Sequence, residues 1–146
     1  MFDSLFPTLS KKIIGFKEMI KICIAGKELI ASATCDTGNG GVSPTLSVEE
    51  VIYNPDTNKV SFKFDGHSFC ERVVGKATPS VGTETPERYT VLCDYIEVDG
   101  RKVNDTFISV SDKRKKSTQA LLNRTVMREL NLLVDPGKSF TYKVKE

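Results

Sequence analysis

The sequence holds a single histidine, no tryptophan and only four cysteines. One histidine leaves no HExxH pair, whereas a catalytic zinc needs three protein ligands and a structural zinc four. His67 and Cys70 have His-x-x-Cys spacing and Cys93 could join them, but the ligand count falls short, so no metal and no cofactor are expected. Cys23, Cys35, Cys70 and Cys93 form no CxxC pair and no compact disulfide framework. The chain has no GxxxxGK[ST], which removes a phosphate-cradling loop. No apolar stretch approaches the roughly 20 residues of a membrane helix. The formal net charge of +2 argues by itself for neither nucleic acid nor membrane. Met1 to Pro7 lacks the basic start and long apolar run of a signal peptide. The expectation is a cytoplasmic protein with reduced thiols.

What is there reads as many short strands. At 146 residues and 16.2 kDa the chain fits one domain. Residues 1–14 read as an N-terminal arm, broken by Pro7 and Ser10-Lys11-Lys12, and residues 15–146 as the domain. Within residues 16–35, β-branched runs flank Ala25-Gly26-Lys27, a hairpin turn. Val48 to Tyr53 and Lys59 to Phe64 are strands around the turn-rich Asn54 to Asn58; Val60, Phe62 and Phe64 alternate with polar residues. Asp65-Gly66-His67 turns the chain into a strand over Phe69 to Val74. The small residues of 75–88 read as the tip of a long hairpin. Tyr89 to Val98 and Lys102 to Val110 make another hairpin around Asp99-Gly100. Ala120-Leu121-Leu122 is a short apolar run, and Thr125 to Leu130 has helical composition. Leu132 to Val134 and Ser139 to Val144 read as terminal strands around Asp135-Pro136-Gly137. This pattern predicts an all-β barrel or sandwich with one short C-terminal helix.

The segment that carries chemistry is Ala33-Thr34-Cys35-Asp36-Thr37-Gly38-Asn39-Gly40-Gly41. Asp-Thr-Gly leaving a strand presents a carboxylate as aspartic peptidases do. Two such carboxylates about 3 Å apart cannot both ionise cheaply, so they share one proton. The ionised member then acts as base toward water, and the protonated member polarises the scissile carbonyl. The sequence has one Asp-Thr-Gly and no second. Catalysis therefore requires Asp36 from each of two copies, on a two-fold axis. The bland alternative is an ordinary polar turn.

Further segments are similar to the retropepsin-like peptidases, over about residues 16–142. The branch most resembled is the bacterial one labelled ATP-dependent zinc proteases and associated with the ligase that adds glutamates to a ribosomal protein. The opening Gly15-Phe16-Lys17-Glu18, the Asp-Thr-Gly, and Ile108 to Arg114 match its pattern in order. So do Leu121-Leu122-Asn123-Arg124-Thr125-Val126-Met127 and the closing Leu133 to Phe140. The resemblance implies a retropepsin-like closed barrel and a homodimer that hydrolyses peptide bonds. Asp36 would be catalytic, Thr37, Gly38 and Asn39 would shape its turn, and Leu122, Asn123 and Arg124 would form the second framing strand. It also makes 75–88 the candidate flap. The chain departs from the family where Asn39 replaces a small residue and where Asn123 replaces glycine. Asn tolerates left-handed backbone, which would let the fold survive at 123. The partners implied are a second copy and a peptide or protein substrate, with an acidic one suited to Lys113-Arg114-Lys115-Lys116. That basic run has no aromatic platform beside it, which argues against single-stranded nucleic acid. The alternative is a catalytically silent member of the fold serving binding or assembly, for example in a virion.

Overall fold

The computed structural model describes residues 10–38, 40–41, 43–77, 87–112 and 118–141. Turn chemistry lays out its first half. Ala25-Gly26, Asp65-Gly66 and Asp99-Gly100 all have φ between 47° and 81° at both residues, the geometry of two-residue hairpin turns. They join β1 (Lys12–Ile24) to β2 (Lys27–Cys35), β4 (Lys59–Phe64) to β5 (His67–Arg72), and β7 (Arg88–Val98) to β8 (Arg101–Asp112). β3 (Thr45–Asn54) turns into β4 through Asn58, which also has positive φ. β6 (Gly75–Ala77) pairs with the start of β7, giving the expected long hairpin its root; residues 78–86 lie outside the described residues. β9 (Ala120–Leu122), α1 (Arg124–Glu129) and β10 (Leu132–Ser139) follow.

Six strands close a barrel in the order β1-β2-β9-β3-β8-β7, with β7 returning to β1 at Lys21 to Cys23. The chain is thus all-β with a closed barrel and, among the described residues, one short helix. The β4–β5 hairpin extends from β3, and β10 lies parallel to the first half of β1. Inward side chains alternate as a half-buried sheet demands: Ile20, Ile22 and Ile24 from β1, Leu29, Ala31 and Ala33 from β2, Ile108 and Val110 from β8. Burying each larger side chain of this set contributes about 1.5–3 kcal/mol.

Two expectations change. β1 starts at Lys12, so residues 12–14 of the expected arm belong to the sheet; residues 1–9 lie outside the described residues. Asp135-Pro136-Gly137 does not separate two strands. β10 runs through it with a register shift: the partners step from Gly15–Asp135 to Lys17–Ser139, so the extra residues bulge on β10. Pro136 is tolerated because β10 ends the strand order, where a missing N–H costs no ladder bond. Residues 142–144 of the expected last strand lie outside the described residues.

Candidate active site

β2 and β3 follow one another in sequence but are not neighbours; β9, from late in the chain, lies between them. Gln119 fixes that insertion. Its N–H donates to the Ser32 carbonyl of β2 (3.0 Å), and its own carbonyl accepts from Ser47 N–H of β3 (2.8 Å). Cys35, the last residue of β2, is thereby placed level with Leu122, the last of β9.

Asp36 leaves the sheet at this point. Its N–H donates to the Leu122 carbonyl (3.1 Å), and its carboxylate Oδ1 accepts from Gly38 N–H (3.0 Å). The side chain therefore builds its own turn, as Asp does in polar loops. Asp36 is half-buried, whereas Thr37 and Gly38 are exposed. The hydrogen bond that closes the turn is the one from Gly38 N–H to the Asp36 carboxylate. A Cβ on Gly38 would meet that oxygen at 3.4 Å, an ordinary contact, so the donating N–H matters more than the missing side chain. Asn39 lies outside the described residues.

The structure brings the second framing segment to the same place. Leu122 is fully buried. Asn123 is also fully buried and caps α1: its Oδ1 accepts from Val126 N–H (3.3 Å) and its Nδ2 donates to the Gly41 carbonyl. Its φ is −93°, extended and not left-handed, so asparagine stands here as a cap and not for its tolerance of positive φ. Arg124 is exposed, with its guanidinium laid against Gly40.

Glu18 of β1, opposite Ala33 of β2, is almost completely buried, and its Oε2 accepts from Gly15 N–H (2.7 Å). Burial, with a smaller contribution from the Glu18 charge, pushes the Cys35 thiol up to about 12. Cys35 is therefore a core side chain and not a nucleophile at neutral pH.

Sequence reasoning missed a chain of hydroxyls. Ser43, on the segment leading from the Asp36 turn into β3, meets Ser109 of β8 at 2.8 Å, and Ser109 meets Thr90 of β7 at 3.0 Å. The signal was Ser109 between Ile108 and Val110, a polar residue that is nonetheless 8% exposed.

The other sequence candidates do not converge. His67 and Cys70 are exposed and, three apart on β5, fall on opposite faces; Cys93 is buried in the core. Among the described residues no three His, Cys, Asp or Glu side chains are grouped to hold a metal, and no helix is long and apolar enough to cross a membrane. Lys113 to Lys116 lie outside the described residues.

No protein-family model and no curated protein matches the chain. Among solved structures it is similar to Lpg0085 from Legionella pneumophila subsp. pneumophila str. Philadelphia 1, a protein described as having unknown function (DUF785). The identity is 24% and the TM-score 0.65, covering 90% of this chain and 98% of that one. At that identity the likeness shows the fold.

Proposed function

We propose that the protein is a retropepsin-like aspartic endopeptidase that works as a homodimer. The observation that carries this reading is the setting of Asp36. It stands at the end of a barrel strand, with its backbone held by Leu122 and one carboxylate oxygen oriented by Gly38 N–H. An oriented carboxylate at a strand end is suited to meet its copy across a two-fold axis. The two would share a proton, and the titration would belong to the pair. The ionised Asp36 takes a proton from a bridging water. The resulting hydroxide attacks the scissile carbonyl carbon while the protonated Asp36 donates to the carbonyl oxygen. The Asp36 that took the proton from water passes it to the amide nitrogen, and as the tetrahedral species collapses to acid and amine its hydroxyl returns a proton to the other Asp36, restoring the singly protonated pair. The partners are a second copy and a peptide or protein substrate.

The second reading is a silent fold used for binding or assembly. One observation favours it: Ile13 and Leu133, partners where β1 meets the start of β10, remain 53% and 45% exposed, and Phe140, just past the end of β10, remains 50% exposed.

The test is sedimentation equilibrium of wild type and Asp36→Asn, with peptide-library cleavage from about pH 4 to 7, the range of a coupled dyad. A dimer whose cleavage disappears in Asp36→Asn supports the peptidase. A strict monomer, or a dimer with no cleavage by either protein, supports the second reading.

A further inference from the structure

We propose that Asn123 is a positioning residue for Asp36: its carboxamide latches the glycine pair that follows the Asp-Thr-Gly turn while its oxygen caps α1. The catalytic meaning of the latch rests on the peptidase reading; the latch itself rests on geometry.

Two consecutive residues hold one loop, and a third lies against it. The Leu122 carbonyl holds Asp36 N–H at the start of the turn. Asn123 Nδ2 holds the Gly41 carbonyl at its end. The Arg124 guanidinium lies where a side chain on Gly40 would begin, 2.5 Å from that point. Both ends of the loop that presents Asp36 are thus tied to the segment joining β9 to α1.

The chemistry of the carboxamide explains why asparagine stands at 123. A cap needs an acceptor for Val126 N–H, which Ser, Thr or Asp would supply equally well. The Gly41 carbonyl needs a donor at the same reach, which ionised Asp lacks and the short Ser side chain does not extend to. Asparagine offers both from one planar group, and here it is fully buried, where competing water is excluded. Glycine, the residue the resemblance leads one to expect, could do neither. Asn123 and the glycines after Asp-Thr-Gly are therefore two ends of one contact. With the loop end fixed, Gly38 stays in place to orient the Asp36 carboxylate.

Two variants separate the latch from the cap. Asn123→Ser and Asn123→Asp both keep a capping oxygen and remove the donor. Amide hydrogen exchange by NMR is read for the wild type and both variants. In the wild type, the Asn123 carboxamide protons should exchange slowly and show a nuclear Overhauser contact to Gly41. In the variants, Val126 and Met127 amides should stay protected, while Gly38 N–H exchange rises about tenfold or more as the loop opens locally. In the peptidase assay, kcat should fall roughly 10- to 100-fold with KM little changed, as expected for a misplaced reacting group.

Fast exchange of the wild-type carboxamide would overturn the latch. So would unchanged Gly38 exchange in both variants, or a loss confined to α1, which would leave Asn123 as a cap alone. If the wild type cleaves no peptide, the peptidase reading falls by itself, and the carboxamide and Gly38 exchange rates still decide the latch.

Discussion

The carbonyl oxygen of Lys138 stands 2.5 Å from the point where a side chain on Gly15 would begin. The first strand and the last thus meet at a glycine, backbone against backbone. Lys17, two residues on, accepts from Phe140 N–H at 2.7 Å. The opening and closing segments that carry the sequence resemblance are one contact in space.

That contact predicts a contrast between two glycines with equal crowding. Gly15→Ala must push backbone apart and should cost about 1–3 kcal/mol, as overpacking does. Gly40→Ala meets only the far end of the Arg124 side chain, which can swing away, so its cost should stay within about 0.5 kcal/mol. Urea denaturation of both variants checks this; equal losses would mean that the Lys138 carbonyl does not confine Gly15.

A second prediction concerns the thiols. Burial pushes Cys35 and Cys93 each up to about 12, and burial followed by Asp94 raises Cys23. Cys70 alone is exposed. Iodoacetamide at neutral pH should therefore label one thiol quickly, at Cys70, and the other three only on unfolding. Mass spectrometry of the labelled peptides reads the outcome.

The same shifts give a pH dependence. Folded Cys35 and Cys93 hold their protons up to about 12, whereas the unfolded thiols titrate near 9.0. Below that value both states are protonated and stability is complete. As pH rises from there toward 12, the unfolded state releases protons first and is favoured. Tyr89, raised to about 12 by burial and then by Glu87, adds to the loss from its ordinary 10.0 upward. The urea midpoint should fall steadily above pH 9, and less steeply in Cys93→Ala than in wild type.

Asn58 supports a further prediction. It has φ of 54°, accepts from the Tyr53 hydroxyl at 2.8 Å and donates to the Val73 carbonyl at 3.0 Å. Asn58→Ala loses both bonds and strains the backbone; a cost of about 2 kcal/mol is expected. Asn58→Gly relieves the strain alone and should fall between the two. Thermal melts of the three proteins would show that order, and a neutral alanine variant would deny Asn58 its role.

Local elements were readable because their causes are local. The three tight turns carry a glycine at their second position, and the alternation of Val60, Phe62 and Phe64 appears unchanged in β4. Asp36 at a strand end was readable for the same reason. Pairings were not. Nothing in Leu132 to Ser139 says that it lies parallel to Lys12 to Lys17, or that the pairing shifts register around Pro136. Nor does the sequence show that Gly41 sits within reach of residue 123. Asparagine in place of the family's glycine suggested left-handed backbone at 123, whereas its role as the cap of α1 goes with an extended one.

The placement of β9 between β2 and β3 also sets an order of events in synthesis. Asp36 leaves the ribosome more than eighty residues before Leu122, the residue that receives its N–H. Until β9 arrives, β2 and β3 have an empty lane between them and the Asp36 turn has no anchor. Such non-local pairing is slow to form. A nascent or truncated chain that lacks β9 therefore carries the Asp36 carboxylate without the Leu122 carbonyl that anchors its backbone.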